Sequence, residues 1–173
     1  MRGKAAGQPR RPPRVHGSMG STTARAARAE DGGRLVDVFV DARRSYYEGH
    51  LPEEELADWE SRVRAAPYDF TRPGRTWLVA ELDGDLVGFA LVTADGDLLQ
   101  LQVDPAHWGR GVGHALHDAA ADALRGHGVT TAHLEVFTPN ERARAFYTAH
   151  GWREVGRSDE FPPHVRMALD VRV

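Results

Sequence analysis

The chain has 173 residues, 41% of them hydrophobic and 27% charged, with a formal net charge of −3 and no cysteine. Such a length and composition predict one globular domain with a substantial core. They exclude disulfides, thiolate metal sites and cysteine nucleophiles. No run of about 18 apolar residues is present to cross a bilayer, and no apolar stretch follows the basic N-terminus as a secretory signal would require. The expectation is a cytoplasmic protein with no membrane partner. Residues 1–20 carry Arg2, Lys4, Arg10, Arg11 and Arg14 with no acid. This Pro-, Gly- and Arg-rich stretch lacks periodic apolar residues, so a disordered basic tail over 1–20 is expected, with Met19 as an alternative start. Residues 21–173 form the expected domain. Their acidic balance argues against nucleic-acid binding.

In chain order, Thr22–Ala27 reads as a weak first strand. Glu30-Asp31-Gly32 marks a turn into a helix with Leu35, Val38, Phe39 and Ala42 on one face. Pro52-Glu53-Glu54-Glu55 resembles the acidic first turn of a second helix, carrying Leu56, Trp59 and Val63. Trp77–Leu82 and Leu86–Thr93 flank Asp83-Gly84-Asp85 and predict a hairpin. Leu98–Val103 follows a second turn, so three consecutive antiparallel strands are expected. Val112, Ala115, Leu116, Ala119, Ala123 and Leu124 mark a helix ending near Gly126 or Gly128. Thr131–Phe137 reads as a strand and Asn140–His150 as a helix closed by Gly151. Trp152–Arg157 and Val165–Val171 complete the strands. The order gives an α+β (mixed α/β) fold without internal repeats.

Between the third of those antiparallel strands and the next helix lies DPAHWGRGVGHAL, residues 104–116, with Gly109, Gly111 and Gly113 at alternate positions. A glycine costs a helix about 0.8–1.0 kcal/mol relative to alanine, so glycines at its start need a reason. A strand, a glycine-rich turn and a helix N-terminus together make an anion site, because backbone N–H groups point outward at the positive end of the helix dipole. Missing side chains let a phosphate approach closely, and Arg110 adds a charge at the rim. A tight turn with glycines for packing is the other reading. The segment is not a nucleotide P-loop, which ends in Gly-Lys-Ser/Thr, nor a dinucleotide fingerprint, because His114 stands where a third glycine belongs.

These motifs, in this order, resemble the GNAT superfamily of acyl-CoA-dependent N-acyltransferases. The family's loop, Gln/Arg-x-x-Gly-x-Gly/Ala, is matched by Trp108-Gly109-Arg110-Gly111-Val112-Gly113, with Trp108 in place of Gln or Arg. LLQLQVDPAHWGRGVGHAL is similar to its strand, turn and loop. HLEVFTPNERARAFYTAHGWREVG is similar to its second half, with an Asn opening a helix and Phe-Tyr near the helix end. The likeness spans about residues 22–171 and, through its alanine N-acetyltransferase branch, includes the spacing of Glu135 before Asn140. It implies a mostly antiparallel twisted sheet of six to seven strands flanked by about four helices. A splayed parallel strand pair would hold acetyl-CoA as the acyl donor.

The resemblance further implies roles for particular residues. Leu101, Gln102 and Val103 would pair with the pantetheine arm through backbone groups, and the N–H groups of Gly109, Arg110, Gly111, Val112, Gly113 and His114 would hold the pyrophosphate. Asn140 would contact the cofactor, although an N-cap is an independent use of Asn. Tyr147 would protonate the departing thiolate; the alternative is a core aromatic beside Phe146. A tetrahedral oxyanion would lie against the Val103 N–H.

The implied reaction is direct attack of a primary amine on the thioester, with no metal. An alkyl amine with pKa about 10.4 is almost wholly protonated at neutral pH, whereas an α-amino group near 7.8 is deprotonated for about 1 kcal/mol. Glu135 is the candidate base, with His133 or water in reserve; an ordinary carboxylate needs burial or a water relay to serve an ammonium. Strand alternation puts His133, Glu135 and Phe137 on one face. His114 and His117 stand one helical turn apart without a third metal ligand, so no metal site is predicted. The acceptor, a small molecule or a protein N-terminus, would be met by the segment Arg43 to His50 and by Asp159 to His164. In these segments Tyr46, Tyr47 and Phe161 offer an aromatic wall, and Glu48 can attract a cation. A monomer or homodimer is expected. A non-catalytic acyl-CoA sensor of the same fold is the alternative function.

Overall fold

A computed structural model describes residues 20–66 and 68–172. The strands are β1 (Thr22–Ala26), β2 (Arg75–Leu82), β3 (Asp85–Thr93), β4 (Leu98–Val103), β5 (Thr131–Phe137), β6 (Arg153–Ser158) and β7 (His164–Asp170). The α-helices are α1 (Gly32–Tyr47), α2 (Glu53–Ala65), α3 (Val112–Gly126) and α4 (Glu141–Ala149). The α+β expectation and the three consecutive antiparallel strands hold, with boundaries shifted by one or two residues. The expected tail lies outside the described residues apart from Gly20.

The expected single sheet is divided. One antiparallel sheet has the order β1-β2-β3-β4 and the other β5-β7-β6. They touch through one parallel bridge, Asp97 to His133, where the His133 N–H donates to the Gly96 carbonyl at 2.9 Å. Beyond it β4 and β5 separate. The cause is local: Leu91 pairs with Gln100 but Val92 with Leu98, so Leu99 is an extra residue in β4. Such a bulge bends its strand and turns it from its neighbour.

The first sheet is covered on both faces. Leu35 and Val38 of α1 pack with Val79 and Phe89. On the other face, Val112, Leu116, Ala120 and Leu124 of α3 meet Leu78, Ala80, Val87 and Ala90, in a core continuous with Leu134 and Met167 of the second sheet. The buried face of α3 includes His117 and Ala120, one step round from the predicted Ala115–Ala119–Ala123 line. Gly88 seats the first turns of this helix. A Cβ there would lie 2.9 Å from the Leu116 Cδ1, 3.1 Å from the Val112 Cγ1 and 2.9 Å from the Gln102 carbonyl oxygen. The turn leading to α3 is anchored by buried Asp104, which accepts from the Ala106 N–H at 3.0 Å and the Arg34 guanidinium at 2.8 Å. Burial alone would raise the Asp104 pKa, but these two donors hold it below its ordinary value.

Candidate functional site

The separation of β4 from β5 opens two adjoining cavities, of about 630 and 490 Å³. Tyr46, Leu101, Gln102, Asn140, Ala143 and Tyr147 line both and form the junction between them.

The larger cavity takes in the glycine turn and the start of α3. Gly109 and Gly111 have φ of 75° and 81°, the left-handed region that side chains disfavour, and a Cβ at either would project into open space. Gly111 precedes α3, and no side chain caps this helix. The N–H groups of its first turn therefore have no partner within the helix. Gly113 serves a different purpose: it is helical, and a Cβ would come within 3.3 Å of the Phe146 ring. The glycine spacing thus combines two left-handed turn positions with one close helix–helix approach. Gly109, Gly111, Val112, Gly113 and His114 line this cavity, while exposed Arg110 stands outside its wall.

The edge of β4 completes the same cavity. The Asp104 N–H donates to the Val87 carbonyl at 2.8 Å, and Gly88 faces Val103. In an antiparallel ladder this phase turns the N–H and C=O of Val103 and Leu101 away from β3, whereas Gln102 exchanges both groups with Phe89. Of the three β4 residues predicted to pair with the cofactor, Gln102 is therefore committed to the sheet through its backbone. Its side chain instead donates to the Gln100 Oε1 at 2.9 Å. Val103 lines only the larger cavity, whereas Leu101 lines both. Exposed Trp108 ties the turn to this edge: its Nε1–H donates to the Val103 carbonyl at 3.1 Å, and the Arg142 guanidinium lies 3.9 Å over its ring. Sequence reasoning missed Arg142. Its only signal was a basic residue in the first turn of α4, where the helix dipole disfavours one.

At the junction, Asn140 caps α4 by accepting from the Ala143 N–H at 3.1 Å. Tyr147 is buried, and among the described residues nothing hydrogen-bonds its hydroxyl. Burial pushes its pKa well above the ordinary phenol value, with the Tyr46 hydroxyl adding to the shift. It therefore remains a proton donor across the physiological range. Burial likewise pushes Tyr46 up to about 12.

The smaller cavity runs along the facing stretches of β4 and β5. His133, Glu135 and Phe137 of β5 line it, as do Arg43 of α1, Asp97, and Arg166 of β7, which stands opposite Glu135 in register. Glu135 is exposed and His133 half-buried, so burial does not prepare Glu135 as a base. Tyr47 is a wall and core residue at once: it is buried with Leu56 and Phe137, its ring 4.5 Å from that of Phe137. Glu48 and Phe161, both expected to meet the acceptor, line neither cavity. Glu48 lies past the end of α1 in a bridge to Leu51, and Phe161 projects from the β6–β7 connection, 70% exposed. Among the described residues, no group of three or more His, Cys, Asp or Glu is placed to hold a metal ion.

This arrangement of an open strand pair, a glycine turn and an uncapped helix coincides with a sequence match. The profile of the acetyltransferase (GNAT) family covers residues 35–152. The chain belongs to that family. It is 42% identical over 111 residues to the mycothiol acetyltransferase of Beutenbergia cavernae, across 60% of this chain and 37% of that protein. It is 32% identical over 104 residues to the ribosomal protein bS18-alanine N-acetyltransferase of Escherichia coli, across 55% of this chain and 70% of that protein. The chain spans about two fifths of the length of the mycothiol acetyltransferases it matches. The PaiA N-acetyltransferase of Thermoplasma acidophilum, solved with coenzyme A, shares the fold with a TM-score of 0.75 at 21% identity, covering 87% of this chain and 99% of that one. Within this GNAT fold the matched region begins in α1 and ends at Trp152, so it contains both cavities' junction residues. No helix among the described residues is long and apolar enough to cross a membrane.

Proposed function

We propose that this GNAT chain is an acetyl-CoA-dependent N-acetyltransferase that moves the acetyl group to a primary amine by direct attack. The observation that carries the reading is the junction itself. A buried tyrosine whose hydroxyl has no hydrogen-bond partner among the described residues stands where the two cavities meet. Bound acyl-CoA supplies an activated thioester. The residues present suit it: left-handed glycines with open space at their Cβ positions, a helix start without a cap, and a strand edge with outward N–H and C=O groups.

On this reading the first-turn N–H groups of α3 hold the pyrophosphate, with Arg142 adding positive charge. Val103 pairs with the pantetheine arm, extending the sheet by one strand-like segment. Leu101, which reaches both cavities, presents its N–H to the carbonyl oxygen that gains charge in the transition state; this assigns to Leu101 the role expected of Val103. Tyr147 holds its proton toward the departing sulfur. Its raised pKa opposes full transfer to a free thiolate, but a thiolate in the same dry site is raised as well, so the hydrogen bond is retained. Exposed Glu135 takes the amine proton through water, and His133 is the second acceptor on that face.

Calorimetric titration with acetyl-CoA, followed by thiol release against a panel of amines, tests the proposal. Binding with amine-dependent release is the expected result. Binding without release for any amine would favour a non-catalytic acyl-CoA module. For the base, Glu135→Gln is expected to lower kcat by about 100-fold; a kcat equal to wild type removes Glu135 from that role.

A further inference from the structure

Arg43 and Arg44 are sequence neighbours with opposite fates. Arg44 is saturated by two carboxylates, Glu53 at 3.0 Å and Glu60 at 3.0 Å. Arg43 lines the smaller cavity and has no ion pair or hydrogen bond among the described residues. Its guanidinium carbon lies 4.7 Å from the centroid of Tyr47 and 4.3 Å from that of Trp59, and its Nε is buried without a partner among the described residues. These cation–π contacts hold the group at the cavity wall, and the terminal edge of the guanidinium has no protein acceptor among the described residues. That edge is a fork matched to a carboxylate, which accepts two parallel hydrogen bonds from it.

The same cavity carries Asp97 and Glu135, also without ion pairs among the described residues, and a second cation, Arg166. Charges of both signs line one space. A polyamine would meet Arg43 and Arg166 unfavourably, and a dianionic phosphate would meet Asp97 and Glu135 unfavourably. A molecule carrying one ammonium and one carboxylate satisfies both sets. We infer that the acceptor is a zwitterionic amine, an amino acid or a small molecule like one, whose carboxylate is read by the edge of Arg43 while its amine faces Glu135. The inference rests on the acetyl-transfer reading of this site and names its substrate class.

The test measures acetyl-CoA-dependent thiol release with the standard L-amino acids and with their α-carboxamides, which keep the amine and remove the negative charge. At least one amino acid is expected to exceed its carboxamide in kcat/KM by about 30-fold, the scale of a charge-assisted pair of hydrogen bonds. In Arg43→Gln that ratio falls toward one, and Arg43→Lys restores it only in part, because an ammonium lacks the fork. Lost folding would depress both substrates and leave their ratio unchanged, so the ratio separates recognition from the packing of Tyr47 and Trp59. Equal use of acids and carboxamides by the wild type, or an unchanged ratio in Arg43→Gln, overturns the inference while leaving acetyl transfer intact. If no amine releases thiol, acetyl transfer fails, and calorimetry of the same pairs on the coenzyme A complex decides the carboxylate site alone. Preferential binding of the acids that Arg43→Gln abolishes supports it; equal or absent binding overturns it.

Discussion

The two cavities that meet at Tyr46 and Tyr147 are built from different materials. The larger one adds to β4 the glycine turn, whose main chain has no side chain over it at Gly109 and Gly111, and the start of α3, while the smaller one adds the charged residues Arg43 of α1, Asp97, Glu135 of β5 and Arg166 of β7. Backbone groups have fixed geometry and change little with sequence, so they suit a partner that stays the same from one relative to the next. Side chains are replaced one at a time, so they suit a partner that differs. The mycothiol and ribosomal-protein acetyltransferases, named for unlike acceptors, are both similar to this chain.

The junction is where the contrast should break most completely. Tyr147→Phe removes one hydroxyl that has no protein partner, so the fold is expected to be unchanged while kcat falls by about 1000-fold. The KM for acetyl-CoA should stay within about threefold; steady-state kinetics checks both. A kcat near wild type would return Tyr147 to a packing role.

On the backbone side, Gly111→Asp places a carboxylate at a φ of 81°, at the mouth of an uncapped helix. Calorimetry should show coenzyme A affinity reduced by about 100-fold. Circular dichroism should remain native, because a Cβ at this position meets no atom of the described residues within 4 Å and the left-handed conformation costs a side chain only about 1–2 kcal/mol. Gly88→Ala sharpens the point from behind the site. Its Cβ would press on Leu116 and on the Gln102 carbonyl, both at 2.9 Å, so the start of α3 must shift. Denaturant unfolding should record a loss of about 2 kcal/mol, with weaker coenzyme A binding accompanying it.

The smallest expected effect serves as a control away from both kinds of chemistry. His117 is on the buried face of α3, where its Nε2 accepts from the Trp152 Nε1–H at 2.9 Å. Burial chiefly, with His150 and His114 adding repulsion against the opposing pull of Asp118, lowers its pKa from 6.5 to about 4. Between those values the unfolded chain binds more protons than the folded one. This contribution to stability is therefore complete above pH 6.5 and is lost as the pH falls toward 4. His117→Gln keeps an acceptor for Trp152 and does not titrate, so its unfolding free energy should fall less steeply across that window in parallel melts.

The sequence by itself determined the order of strands and helices, since periodicity and turn residues act over a few neighbours. It also determined the glycine turn and the Asn140 cap, because Gly109 and Gly111 are two residues apart and Asn140 caps a helix three residues on, so the chemistry of each is local. Tertiary structure decided what depends on residues brought from afar. The bulge at Leu99 splits the expected sheet into two and frees the β4 edge, and the ladder phase then exposes Leu101 and Val103 but not Gln102. Glu48 and Phe161 fall outside the smaller cavity because a helix end and a loop turn away from it. Arg43 is held in its wall by contacts of the guanidinium with Tyr47 of its own helix and with Trp59, which α2 brings to it. Proximity along the chain is written in the sequence; proximity between α1, α2 and β5 arises only when the core packs.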